Sequence, residues 1–482
     1  MYKLYKKIRD IPNEVKSGIV YTFSTLFTRG LAIITVPIFT RLMTTDQIGV
    51  VNLYNSWYSM ISVFATLSLT SGGFQLAMKE FKNSRDQYES SVLSITSLMA
   101  ILIAFAFFIN PSFWEKILGL PKSLIILMLV GFLAAPARDF WMARQRYEYK
   151  YKLSGLVSIL SAVVASILSV VVVLHMNSVG AINVAEGRLL ANYIVVYGVA
   201  GVIWISLFIK GKTLYNKKFW KFSLTLSLPL VGYALARQIL DVSDRMMISK
   251  MVGNDKVGIY STLYTVSSIS LVAWNAINAS FIPYLYQNID KKDKKRNVQH
   301  LASILLALYA VIAIALTYLA PEIVRILATS EYYEAIYIMP PIAAGIFLTS
   351  VSNMYSNILV YYKRTNVIMF SSALAAIVNV VLNYIFIKTI GYQAAAYTTL
   401  IAYILLALIE GIFATKEYKK VTKDTTMIYN NKTIVIMSFV TILVSMCGLI
   451  FYNFSLIRYL LCIILVIIVI VITIYYKRNK QS

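Results

Sequence analysis

Apolar runs of about twenty residues recur along the whole chain, each long enough to cross a bilayer as a helix. In order, they give about fourteen spans, the first at 17–43 and the last at 456–476. The expected fold is all-α and polytopic, and the segments between the runs are too short for a soluble domain. The longest outer loop reaches only from Pro321 to Glu334. The seventh run departs from the pattern. Lys221 to Gly253 is mostly apolar, yet its interior holds Arg237, Asp241, Asp244 and Arg245. A charge at the centre of a membrane helix costs about 2.5–3.5 kcal/mol on insertion scales, so a mere anchor would carry leucine there. These four residues fall at spacings of three and four, which lets Arg237–Asp241 and Asp241–Arg245 pair along one face. Two readings follow: salt bridges that ease insertion, or a helix that faces a partner or a watery cavity.

Of the 482 residues, 59% are hydrophobic, above the 45–50% of soluble domains. The net charge of +24 raises the question of nucleic acid, but the distribution of charge answers it. Most of the 45 basic residues gather in alternate loops, among them Lys79, Lys82 and Arg85, then Arg138, Arg144, Arg146 and Lys150. Such alternation places both termini in the cytoplasm. The charge is then a topology signal with some affinity for anionic lipid headgroups, and no nucleic-acid partner is expected. Met1 to Lys16 is basic, and no small-residue cleavage site follows, so no removable signal is expected. Cys447 and Cys462 lie in apolar runs, and His175 and His300 stand apart, without zinc or redox spacing. Short outer loops weigh against an enzyme such as a membrane glycosyltransferase or polysaccharide polymerase.

An internal repeat organises the chain. RLMTTDQIGVVNLY begins at Arg41 and KMVGNDKVGIYSTLY at Lys250, which sets Asp46 on Asp255 and Gly49 on Gly258. The same offset brings Arg29 within one residue of Arg237. Two six-helix lobes of the same orientation, related by an axis along the membrane normal, explain this, with the substrate path between them. The expected division is a lobe over 1–221, a pseudo-symmetric lobe over 222–415, and a basic linker with an accessory helix pair over 416–482.

The Asp46-x-x-Gly49 turn, SLTSGGFQLAMKEF at 68–81, DRMMISKMVGNDKVGIYS at 244–261 and NVVLNYIFIKTIGYQAAAYTTLIAYI at 379–404 resemble one family. It is the polysaccharide transporter branch of the MOP exporter superfamily, and the similarity covers about residues 15–415. The resemblance implies two lobes around a central cavity, working by alternating access. It implies a monomeric flippase in a bacterial cytoplasmic membrane, moving an undecaprenyl-diphosphate-linked oligosaccharide for O-antigen, capsule or exopolysaccharide, beside a polymerase. The span count resembles that of the peptidoglycan-precursor flippases, where the last two helices form a lipid groove.

Such a substrate asks for cations at membrane depth and a polar, aromatic-lined cavity. Arg29 and Arg237, near the middles of the first and seventh spans, are the candidates for the pyrophosphate, because a guanidinium fork gives two parallel charge-assisted bonds. Tyr54, Asn55, Trp57 and Tyr58, with Trp274, Asn275 and Asn278, are candidate lining residues; interface belting and ordinary packing are the alternatives. Pro37, Pro229, Pro283 and the pair Pro340–Pro341 fall where kinks would serve a rocking transporter. Asn379 and Asn383 share a helix face, and Thr398 and Thr399 open the next helix. With Asp241 or Asp244 they suit a sodium ion or a proton, a site the peptidoglycan-precursor flippases imply; the alternative is helix–helix hydrogen bonding. No other cofactor is expected. The competing function is a cation-coupled multidrug exporter, whose cavity would be acidic and against which Arg29 and Arg237 argue.

Overall fold

The computed structural model describes residues 12–478. Among these residues every regular element is helical. Fourteen long helices carry the fold. They are α1 (Asn13–Leu42), α2 (Thr45–Thr66), α3 (Arg85–Ile109), α4 (Lys122–Tyr147), α5 (Tyr151–Ser178), α6 (Val184–Gly211) and α7 (Lys217–Met251). There follow α8 (Asn254–Asn288), α9 (Lys295–Tyr318), α10 (Met339–Tyr361), α11 (Thr365–Ile390), α12 (Ala394–Thr422), α13 (Asn431–Cys447) and α14 (Ser455–Arg478). Twelve of them, all but α2 and α14, are long and apolar enough to cross a membrane over their described residues, which makes this a multi-pass membrane protein. α2 falls short because Asn52, Asn55, Ser56 and Ser59 dilute its apolar residues. Its start is set by a capping box in which Thr44 and Gln47 bond each other's backbone N–H.

Pro37, Pro229 and Pro283 lie inside α1, α7 and α8, and Pro136 lies inside α4. Each removes a backbone hydrogen bond from its helix. The Pro340–Pro341 pair does not bend a helix as expected. It occupies the first turn of α10, where a missing N–H costs nothing.

The chain divides into two compact units, Met1–Gln238 and Ile239–Ser482, with the division inside α7. In the first, a ring cluster of Phe74, Phe81, Tyr88, Phe140 and Phe219 packs one end, and Tyr88 bonds the Ser223 hydroxyl at 2.7 Å. Two glycines permit the close approaches there. A Cβ on Gly211 would stand 2.2 Å from the Asp86 carbonyl oxygen, and one on Gly72 would stand 2.5 Å from Ser227 Cα. At the same end Arg144 gathers Asp86 (2.5 Å), Glu89 and Glu148 (3.0 Å), locking α3 to α4.

In the second unit α10 is buried along nearly its whole length, with α8, α9, α12 and α13 packed around it. The segment read as a linker is not a loose tether. α12 runs on through Thr422, and Lys295 of α9 holds Asp424 at 2.6 Å while Gln299 donates to the Met427 carbonyl at 3.1 Å. α14 is stapled in the same manner. Arg458, only 3% exposed, donates to both carboxylate oxygens of Glu322 at 2.5 and 2.7 Å and to the Tyr318 carbonyl at 2.8 Å.

Candidate functional site

The first unit holds an open-sided cavity of about 560 Å³ between α1, α2, α4, α5 and α6. Residues 21, 24, 25, 28, 32, 35 and 39 of α1 follow helical spacing, so one face of that helix forms the wall. α5 contributes Ser158, Ser161, Ser166 and Ser169. Most of these hydroxyls donate back to their own helix. Ser24 bonds the Val20 carbonyl, Thr25 that of Tyr21, Thr28 that of Thr25, Thr35 that of Ala32 and Ser169 that of Ala165, all at 2.7–3.1 Å. Once its hydrogen is spent on a carbonyl, each oxygen offers the cavity an acceptor.

Three arginines supply the donors. Arg138 and Arg146 stand two turns apart on one face of α4, with Met142 between them, and Arg188 enters from α6. Arg146 lies over the Tyr21 ring at 6.0 Å, and Arg188 lies on the Phe39 ring at 3.6 Å. Tyr21 and Phe39 are eighteen residues apart on α1, which is about 27 Å of helix. The slot therefore carries positive charge near both ends, and no Asp or Glu is among its described lining residues. Asn55 and Asn192 add amides, and Tyr193 donates to Asn55 Oδ1 at 2.8 Å.

Of the residues expected to line a cavity, Asn55 lines this one. Tyr54 is fully buried, its hydroxyl 3.4 Å from that of Tyr197, and Tyr58 stacks on Phe132 at 5.2 Å. Trp57 is half-buried beside them. In the second unit Trp274 is buried against Tyr309 at 5.2 Å, Asn275 is exposed, and Asn278 accepts from Asn357 at 3.0 Å. Arg29 is exposed on α1 but off the cavity face, and Arg237 is half-buried on α7.

A second polar cluster joins α7, α8, α11 and α12. Asn379 Oδ1 accepts from Ser243 and from Asn383, both at 3.2 Å, and Asn379 donates to Thr399 at 3.2 Å. Thr398 donates to Asn383 Oδ1. Tyr403 reaches Asp241 Oδ1 at 3.2 Å and Tyr264 at 3.3 Å. Asp244 belongs to a different group of contacts: Tyr260 donates to it at 2.6 Å and Arg245 at 3.3 Å, while Arg245 also bonds the Asp241 carbonyl at 2.5 Å. Thus Asn379, Asn383, Thr398 and Thr399 meet as their spacing suggests, while Asp241 is bonded by Tyr403, which also meets Tyr264. Asn379 Oδ1 thus accepts two side-chain bonds, and Asn383 Oδ1 accepts one. Among the described residues no group of three His, Cys, Asp or Glu is placed to hold a metal ion.

Comparison with known proteins places this geometry in context. The sequence model of the family described as polysaccharide biosynthesis protein matches residues 15–289, and that described as MatE matches residues 229–385. No curated protein matches the chain. The fold is similar to that of the lipid II flippase MurJ in an inward closed conformation, at 17% identity over 96% of this chain and 99% of that one, with a TM-score of 0.69. It is similar to an inward-facing multidrug resistance MATE family transporter of the MOP superfamily, at 14% identity over 84% and 96%, with a TM-score of 0.62. A MOP superfamily transporter from Pyrococcus furiosus, described as having a binding pocket of reverse polarity, matches at 15% identity over 85% and 97%, with a TM-score of 0.52. At such identities the likeness establishes the fold.

Proposed function

We propose that this chain, which belongs to the polysaccharide biosynthesis protein family of the MOP superfamily, is a flippase for a polyprenyl-diphosphate-linked oligosaccharide. The observation that carries the reading is the acceptor-walled cavity with Arg138, Arg146 and Arg188 and no lining carboxylate. A diphosphate takes charge-assisted bonds from guanidinium groups. Sugar hydroxyls donate to the Ser and Thr oxygens and take bonds from the Asn amides. With the N-terminus in the cytoplasm, α1 runs outward, so Arg146 meets the substrate from the inner side and Arg188 from the outer side. The setting proposed is a bacterial cytoplasmic membrane, with the chain as a monomer supplying a polymerase outside. The MatE match over residues 229–385 favours a second reading, export of cationic drugs, but a cavity of this sign would repel them.

Deleting the gene should leave the lipid-linked glycan on the inner leaflet, and re-expression should clear it. Restored efflux of a cationic dye, with no change in the glycan, would overturn the proposal in favour of the second reading.

Of the two coupling ions considered, sodium or a proton, the reading taken here is a proton carried by Asp241, to which Tyr403 donates. Asp241→Asn should therefore slow glycan export and remove its dependence on the proton gradient, while insertion stays normal. Export that stops when sodium is withdrawn, in wild type, would refute the proton.

A further inference from the structure

The second unit holds a buried carboxylate that this reading does not use. Glu410 of α12 is 1% exposed. Its Oε2 accepts from Ser352 at 2.5 Å and Ser356 at 2.8 Å, both on α10, and its Oε1 accepts from Ser371 of α11 at 3.2 Å. One acid thus ties three helices together. No Asp, Glu, Lys, Arg or His occurs within α10, within α11 between Thr365 and Ile387, or elsewhere in α12 before Lys416. Tyr355 of α10 faces the next residue, with its ring 3.0 Å from where a Cβ on Gly411 would stand. α13 brings Asn431, which bonds Thr415, followed by Lys432. An ion pair, Arg364 with Glu417 at 2.9 Å, lies about 10 Å further along α12. A charge in such a place is expensive, and a membrane protein that keeps one has a use for it.

We propose that Glu410 is a site that binds and releases a proton. The oxygens stand 2.5–3.2 Å apart, in direct hydrogen-bond contact. A cation held by oxygens at about 2.3–2.6 Å would lie between them and force them further apart, so the occupant is a proton rather than a metal ion. As a carboxylate, Glu410 accepts from all three serines. When a proton from water binds one oxygen, the acid becomes a donor, and one serine must turn its own hydrogen elsewhere. Ser371 has that outlet, because the Ile368 carbonyl stands 3.0 Å from its hydroxyl. Rotation of one hydroxyl therefore accommodates the proton and changes the tie between α11 and α12.

The test uses the full chain in lipid nanodiscs without substrate, so its outcome is independent of the flippase reading. Infrared difference spectra between neutral and acid pH should show, beside the bands of other carboxyls that titrate, a carboxylic C=O band from Glu410 in wild type. The band should be lost in Glu410→Gln and kept in Asp241→Asn and Asp244→Asn. Ser371→Ala, which keeps the acid but removes one donor, should displace the midpoint by about one pH unit. A band unchanged in Glu410→Gln, no such band in wild type, or an unmoved midpoint in Ser371→Ala would each overturn the proposal. Should Glu410→Gln not fold, Ser371→Ala decides alone.

Discussion

Replacing Arg188 with alanine is expected to lower glycan export about ten- to a hundredfold while the protein still inserts. A hydrogen bond to a charged group contributes about 1.5–3 kcal/mol, and 1.4 kcal/mol is a factor of ten. Arg138→Ala and Arg146→Ala should act in the same direction, since both face the same cavity. Lysine at any of the three should restore only part of the rate, because it keeps the charge and loses the fork. Arg188 also rests on Phe39, so its loss has a packing cost of its own. Lipid-linked glycan reaching the outer leaflet, measured beside the melting temperature, separates the two effects. Wild-type export in all three alanine variants would remove the cavity from the transport path.

Arg458→Ala should destabilise the second unit by about 3 kcal/mol. This is the low end for breaking a buried pair, because Glu322 keeps about a quarter of its side chain exposed. The substitution removes a bidentate contact and the bond to the Tyr318 carbonyl together. Replacing both partners with apolar residues, Arg458→Met with Glu322→Leu, should recover much of the loss, since no charge is then left alone. Acid should act like the single variant. Burial works to raise the Glu322 carboxyl, but the bonds from Arg458 and Tyr459 prevail and hold it below the usual range. Its contribution is then complete at neutral pH and fades as the pH falls through that lowered value. Thermal melts of the purified chain at two pH values test both statements; equal melting of wild type and Arg458→Ala would refute the staple.

Much of this was legible in the pattern of apolar runs, because a helix in lipid must satisfy its own backbone and must be about twenty residues long. The seventh span announced itself by its charges. The Asn379–Asn383 spacing predicted a shared face, and those amides do meet Thr398 and Thr399. The cavity arginines were in plain view but read as loop charges. α4 extends to Tyr147, six residues past the expected end, and takes Arg144 and Arg146 into the helix. The repeat 138–142–146 was the available signal, as were Ser154, Ser158 and Ser161 at helical spacing on α5. Arg188 left no such trace, since which way it points depends on how α6 packs against α5 and α2. The prolines of α10 show the same limit: sequence marks a break, but only the neighbouring turn decides whether it bends a helix or begins one.

The Arg458 staple also orders events in time. Glu322 precedes its partner by 136 residues, so it is made well before Arg458. Until then its carboxylate must rely on water and Tyr459 has not yet arrived to help. Once the arginine is made, seating α14 against α9 completes the pair and leaves neither charge alone. A chain cut between the two residues would keep the acid and lack the arginine that pairs with it.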